Sequence, residues 1–352
     1  MTHVHTIHLR RFRLALLLAA CLALAPAAPA QVGGGPDTLS DLAGLASEAL
    51  EAGAFRTTGG LVVEPVVRNG ALYAVRMQSE VFDDAAAREV AALVGAATGF
   101  GADIEQPVLD FLAPAVPELA GEGPSVVGIE RFRLTLDVNG AEAPYDVTFA
   151  LALAELPADA FPEARHVKGP ADAPIVIREF SDFSCPACRR FVLDVLPRLE
   201  TTLLPRGDVR IEYHHFPLIG SFPHSLRAAE VSECVADANP EDDEAFWRYH
   251  DALFERQAEW ARVGDADALL LTIAQDAGVS LEGVDECLAE EWHVGTVEEA
   301  YRAATSLQLR GTPTVFVGGY RLENFGDMGA YLQAIAYLEA FGTAAEATGA
   351  AD

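Results

Sequence analysis

Lysine is almost absent from this chain, because Lys168 is the single lysine among 352 residues. Acidic side chains outnumber Lys and Arg by 53 to 24, and the formal net charge is −29. A charge of that sign and size repels nucleic-acid phosphates and anionic membrane surfaces. We therefore expect no nucleic-acid partner.

Long apolar runs are also missing after residue 30, where none is long enough to cross a bilayer. Hydrophobic residues still make up 51% of the chain and charged residues 22%, which is typical of a globular protein with an ample core. A length of 352 residues suits two domains better than one.

Residues 1–30 have a different composition from the rest of the chain. Three arginines precede the apolar run "LALLLAACLALA", and Ala28 and Ala30 stand in small-residue cleavage positions. This order predicts a signal peptide cut before Gln31 and an extracytoplasmic location, in the periplasm or cell envelope. The stretch "LAAC" ending at Cys21 also resembles a lipobox, so a lipoprotein anchored through Cys21 is the alternative.

Cysteine is scarce as well. The cysteines that remain after residue 30 are Cys185, Cys188, Cys234 and Cys287. A structural zinc site needs four ligands, whereas Cys234 and Cys287 stand singly and the adjacent His214 and His215 face opposite sides of a strand. A purely structural bridge within C-x-x-C closes too short a loop to gain much. We therefore expect a redox couple, with no metal and no cofactor.

The front half of the chain, residues 38–155, reads as a separate α+β domain. Residues 39–52 have the pattern of a helix, and Asn-Gly turns at 69–70 and 139–140 each indicate a β-hairpin. Prolines predict broken turns over 103–124. The role of this domain is open.

Residues 156–174 are proline-rich and predict a linker. Beyond them, the continuous β-branched run 175–180 is typical of a strand buried on both faces. A helical pattern over 186–204, which Pro197 should kink, and a second strand at 209–216 complete a β–α–β unit. A helix-rich stretch, a hairpin and a last helix follow.

Three segments carry a resemblance to a known family: "EFSDFSCPACRRF" (179–191), "HHFPL" (214–218) and "RGTPTVFVGG" (310–319). Over residues 165–342 the chain resembles the thioredoxin fold, and within it the DsbA-like thiol:disulfide oxidoreductases, which carry a central helical insertion. The fold class expected is therefore α/β, a thioredoxin fold preceded by the separate α+β domain.

The position of Cys185 favours its ionised form. It directly precedes a helix, whose free N–H groups and positive dipole end stabilise a thiolate, and Pro186 suits the first helical turn. The thiolate is the species that attacks disulfides. Cys185 is the expected nucleophile, and Cys188, one turn later, is expected to point inward and resolve the mixed disulfide.

Further roles are implied by the resemblance alone. Pro313 matches the family's cis-proline opposite the cysteines, and Thr312 matches the residue that tunes substrate contact and thiolate stability. Glu179 occupies the position of the family's buried acid, which relays the proton of the second cysteine. Cys234 and Cys287 match a second, structural disulfide seen in some relatives, and two buried free thiols are the alternative.

The resemblance implies an enzyme that donates disulfides to exported proteins with cysteines and is reoxidised by a quinone-linked membrane partner. The dipeptide Pro186-Ala187 and Thr312 leave the direction of electron flow open. The alternatives are an isomerase or reductase that dimerises through the front domain, and a redox-inert binding module on the same fold.

Overall fold

The structure is a computed structural model that describes Val32 and residues 46–342. The predicted signal peptide, Cys21 and Gln31 lie outside these residues. The chain forms two compact units, one running through Ala154 together with 339–342, and the other from Glu155 to Leu338. Within the described residues, no helix has the length and apolar character needed to cross a bilayer.

The first unit is a seven-stranded antiparallel sheet with two helices. Its strands are β1 (Ala46–Ala49), β2 (Phe55–Thr57), β3 (Val62–Arg68), β4 (Ala71–Ser79), β5 (Ser125–Ile129), β6 (Phe132–Asn139) and β7 (Asp146–Leu153). Their order in the sheet is β1-β2-β3-β4-β7-β6-β5. The helices α1 (Asp84–Thr98) and α2 (Glu105–Leu119) connect β4 to β5.

Local sequence signals explain several of these elements. The predicted hairpin at 69–70 is confirmed, because Asn69 and Gly70 both have positive φ, 47° and 81°, as a two-residue turn of this kind needs. The Asp83 carboxylate accepts hydrogen bonds from the first N–H groups of α1, and Gly99 ends the helix at φ 80°. The second hairpin has a longer loop than predicted, since β7 starts only at Asp146.

Two expectations for this unit are wrong. The described part of the predicted helix 39–52 contains β1 and a 3-10 turn, because backbone pairing with β2 overrides the local helical pattern. The segment 103–124 contains α2 rather than broken turns. Pro114 and Pro117 lie on the exposed side of α2, and the buried side is apolar at helical spacing, so packing compensates for the lost hydrogen bonds.

The second unit is the predicted α/β thioredoxin-like fold. Its strands are β8 (His166–Lys168), β9 (Ile175–Ser181), β10 (Val209–His215), β11 (Thr314–Val317) and β12 (Tyr320–Arg321), in the order β12-β11-β9-β10-β8. Strands β9 and β10 are parallel, and a helical crossover joins them. It consists of α3 (Pro186–Arg190), a π turn (Phe191–Val195) and α4 (Leu196–Thr202). The π turn ends two residues before Pro197, whose ring would clash with the carbonyl of Leu193 in a regular helix.

The helical insertion follows β10. Its helices are α5 (Ser225–Asp237), α6 (Ala245–Glu255), α7 (Gln257–Trp260), α8 (Asp267–Asp276), α9 (Val284–Ala289) and α10 (Val294–Ser306). The last helix, α11 (Met328–Phe341), comes after β12. The insertion therefore occupies the place in the fold that the sequence predicted for it.

The segment 156–174 is not a free linker. The N–H of Leu156 donates to the carbonyl of Gly319, and the ring of Phe161 packs 5.0 Å from that of Phe316. The same segment contains β8, which pairs with β10. Its prolines and polar residues gave it a linker-like composition, but a few apolar and backbone contacts attach it to the second unit.

Candidate active site

The loop between β9 and α3 is fixed by Asp182. One carboxylate oxygen accepts the N–H of Ser184 at 2.7 Å. The other accepts the N–H of Leu218 and the hydroxyl of Ser225, both at 2.7 Å. Asp182 thus joins the loop that leads to Cys185 to the loop after β10. Asp182 is buried, so its carboxylate needs these hydrogen-bond partners, and they fix its position.

Cys185 is the residue that caps α3, and Pro186 is the first residue of that helix. Its Sγ lies 3.5 Å from the carbonyl oxygen of Thr312, and the Thr312–Pro313 peptide bond is cis. Hydrogen bonding from the Cys188 thiol lowers the pKa of Cys185 to about 6, although partial burial opposes this. Thr312 and the N–H groups of Ala187 and Cys188 lower the pKa further.

Cys188 has the opposite character. It is fully buried, whereas Cys185 is 6% exposed, and both are free thiols. Burial raises the pKa of Cys188, and its hydrogen bond to Cys185 raises it further. Only the outer sulfur of the pair is therefore readily ionised, which suits Cys185 to attack and Cys188 to resolve.

Glu179, on β9, is fully buried and close enough to Cys188 to affect its ionisation. In the sheet it is paired with Tyr213 on β10 and with Val315 on β11. Neither carboxyl oxygen has a hydrogen-bond partner among the described residues, and the same holds for the hydroxyls of Ser181 and Tyr213. Burial raises the pKa of Glu179 to about 8, so the carboxyl group retains its proton at neutral pH.

Cys234 on α5 and Cys287 on α9 are joined by a disulfide. The two residues are 53 positions apart, and closing a loop of that length stabilises the fold by about 4 kcal/mol in the chain-entropy model. The bridge lies within the insertion, and its cysteines are distinct from the free pair.

Within the described part of the chain, two groups of side chains have the composition of metal ligands. In one, His166 and His215 each place Nε2 2.8 Å from the same oxygen of Glu233, and the Arg165 guanidinium lies 3.2 Å from the other oxygen. A cation thus already pairs with this carboxylate, which makes the group a closed polar network. In the other group, the two cysteine donors are already bonded to each other as the disulfide.

Two residues that support the site were missed in the sequence. Asp182 precedes Cys185 by three residues, so the sequence itself places it near the nucleophile. Its hydrogen-bond partners Leu218 and Ser225 could not be predicted from the sequence. Gln257, on α7, donates from Nε2 to the carbonyls of Phe183 and Cys185. It lies more than seventy residues from them, and no sequence pattern signals such a contact.

The acidity of Cys185 can be tested by alkylation. We expect the alkylation rate of Cys185 to rise with a midpoint near pH 6, and the midpoint to move upward in Cys188→Ala because its main hydrogen-bond donor is lost. Cys188→Ser, which keeps a hydroxyl donor, is the matched control and should shift less. A wild-type midpoint close to that of free cysteine, about 8.5, would contradict this description of the site.

The buried acid should make stability depend on pH. Below pH 4.5 Glu179 is protonated in both the folded and unfolded states; between pH 4.5 and about 8 only the unfolded state releases the proton. The wild type therefore loses stability over this range, on the order of a few kcal/mol. We expect Glu179→Gln to gain stability relative to the wild type as pH rises from 4.5 to 8 in denaturant titrations.

The exposed Glu255→Gln provides the control, since its carboxylate is solvated in both states. A stability difference between Glu179→Gln and wild type that stays constant from pH 4.5 to 8 would show that Glu179 ionises normally.

The second unit of the chain is similar to known proteins. A family model described as thioredoxin matches residues 162–335. Disulfide bond formation protein D of Bacillus subtilis is 30% identical over 162 residues, which is 46% of this chain and 71% of that protein. The Na⁺/H⁺ antiporter NhaA 3 of Salinispora tropica is 34% identical over 160 residues, 46% of this chain. That segment spans only 22% of the antiporter.

Solved structures cover the same half of the chain. Oxidised BdbD from Bacillus subtilis has 27% sequence identity and a TM-score of 0.43, covering 53% of this chain and 95% of its own. The α-DsbA1 of Wolbachia pipientis has 20% identity and a TM-score of 0.44, covering 51% and 94%. On the family-model match and the disulfide bond formation relatives, the chain belongs to the DsbA-like thiol:disulfide oxidoreductases of the thioredoxin superfamily.

Proposed function

We propose that the protein is an exported oxidase that donates the Cys185–Cys188 disulfide to client proteins. The observation that carries the proposal is the placement of the Cys185 sulfur at the start of α3, 3.5 Å from the carbonyl of Thr312, with a lowered pKa. A stabilised thiolate makes the reduced form of the pair favourable, and such a pair oxidises other dithiols. Relatives named disulfide bond formation protein D support this direction.

The reaction proceeds in two exchanges. A client thiolate attacks Sγ of Cys185, the Cys185–Cys188 bond breaks, and the electron pair goes to the Cys188 sulfur. Glu179, which holds a proton at neutral pH, supplies that proton to the Cys188 sulfur. The second client thiolate then attacks the client sulfur of the mixed disulfide. The client leaves oxidised, and Cys185 leaves as the stabilised thiolate.

Pro313 and Thr312 serve the client in this proposal. The chain around the cis bond precedes β11, and the Thr312 carbonyl already faces the Cys185 sulfur. An extended client segment beside Cys185 can pair with backbone groups at this position, as an added strand does. The Thr312 hydroxyl is buried with no hydrogen-bond partner among the described residues, and it is placed to donate to the thiolate.

Regeneration requires a partner, because each client disulfide leaves the pair reduced. We infer a membrane protein linked to quinone as the acceptor of these two electrons, in an extracytoplasmic compartment where disulfides persist. The clients are exported proteins with cysteines.

The reduction potential distinguishes oxidase from reductase. The pKa of about 6 for Cys185 lies below the value of about 7 in a reductant near −270 mV, so the reduced pair is stabilised relative to such a reductant. We expect a potential above about −200 mV in equilibrium with glutathione, with Cys185→Ser as the inactive control.

A value near −270 mV would instead support the reductase alternative, whereas an isomerase, near −180 mV, would be recognised by dimerisation of the chain. In that alternative the first unit dimerises the chain, and one of its features fits: β5 is an edge strand of the described sheet and exposes Val126 by 60%. Correctly folded protein that neither oxidises nor reduces dithiols would indicate a redox-inert binding module.

Export can be tested on the protein recovered from the cell envelope. If the signal peptide is cleaved after Ala30, the intact mass should equal that of a chain beginning at Gln31. The mass of a lipid-modified chain beginning at Cys21 would identify the lipoprotein form. A chain that retains Met1–Ala30 would overturn the export proposal.

A further inference from the structure

Gln257 joins the helical insertion to the loop that carries the nucleophile. It is the first residue of α7 and is 6% exposed. Its Nε2 donates to the carbonyl oxygen of Phe183 at 2.7 Å and to that of Cys185 at 3.0 Å. Both acceptors are carbonyls, so only the amide nitrogen satisfies them, and both of its hydrogens are used.

These bonds complete a clamp on the turn before α3. From the other side, Asp182 accepts the N–H of Ser184 with its carboxylate and the N–H of Cys185 with its carbonyl. Hydrogen-bond donors and acceptors thus both hold the backbone of residues 183–185. With this backbone fixed, the N–H groups of Ala187 and Cys188 face the Cys185 sulfur and stabilise its charge.

The same short piece of the insertion contacts the far end of α3. Arg189 donates from Nε to the carbonyl of Phe254 at 2.9 Å, and the Phe254 ring packs 5.2 Å from that of Phe183. Residues 254–257 therefore contact the loop before α3 and the last turn of that helix. The insertion is in this way attached to both ends of the segment that holds the two cysteines.

We propose that Gln257 is a positioning residue for thiol–disulfide exchange, through which the helical insertion sets how strongly the Cys185 thiolate is stabilised. The inference rests on the proposed redox role of Cys185. Helix α7 then contributes to the chemistry of the cysteine pair as well as to the packing of the fold.

The direction of the effect follows from charge. The amide hydrogens of Gln257 place positive partial charge against two carbonyls of the loop. They also fix the orientation of these carbonyls near the sulfur. The thiolate carries a full negative charge, whereas the disulfide carries none. Gln257 therefore stabilises the reduced pair more than the oxidised pair. Loss of the amide should make Cys185 less acidic and the protein less oxidising.

The decisive variant is Gln257→Met, which keeps the side-chain length but cannot donate. A hydrogen bond of ordinary net strength changes an equilibrium about three- to tenfold. We expect the alkylation midpoint of Cys185 to rise by about 0.5–1 pH unit. The equilibrium constant with glutathione should move about three- to tenfold toward the oxidised pair, which is about 15–30 mV.

Two controls separate positioning from general destabilisation. Ile273→Val removes one methylene from the core of the insertion on α8 and weakens the fold without touching the active-site loop. Gln275→Met makes the same chemical change at an exposed position of the same helix. A structural loss lowers the stability of reduced and oxidised protein equally and leaves the equilibrium constant unchanged, so neither control should shift it.

Each outcome decides a different question. A wild type with an ordinary Cys185 midpoint would overturn the proposed function itself. If Cys185 is acidic in the wild type, and Gln257→Met folds but keeps the wild-type reduction potential, only the role of Gln257 is overturned. If Gln257→Met does not fold, Gln257→Asn, which retracts the amide by one methylene, must shift the midpoint in the same direction for the inference to stand.

Discussion

Negative charge on one sulfur atom is the constraint around which the second unit is arranged. The strand β9 is buried along its whole length and delivers the chain to the start of α3, where N–H groups are free to face Cys185. The thiol of Cys188 then contributes the largest favourable interaction to the charged form. Depth separates the two cysteines, because the inner sulfur is excluded from water and the outer one is not.

The same interior holds groups that the fold alone does not require. Glu179, Ser181 and Tyr213 place polar atoms in the core without hydrogen-bond partners among the described residues. An apolar core of equal volume would be more stable, since buried polar groups without partners cost free energy. Their presence next to Cys188 fits a region that holds a proton for transfer.

Much of this unit could be predicted from the sequence, because its signals are local. The β-branched run of β9, the C-x-x-C before a helix and the Thr-Pro before a short hairpin each report on neighbouring residues. That Thr312 lies near Cys185, and Glu179 near Cys188, could be expected only from the resemblance to a family. Gln257 had neither kind of signal, since a glutamine in a four-residue helix is unremarkable until folding brings it to the loop.

The errors have the same origin. The prolines of α2 predict a break, but the apolar side of that helix packs into the first unit and outweighs them. The segment 156–174 has the composition of a linker, yet Phe161 fits between the side chains of β9 and β11. In both cases a few buried side chains decided the structure against the average composition of the segment.

The bridge between Cys234 and Cys287 also has a consequence for biogenesis. Forming it removes two electrons from each newly made copy, so the chain reaches its mature form only where an oxidant for these thiols is present. Synthesis under reducing conditions would leave α5 and α9 without this link.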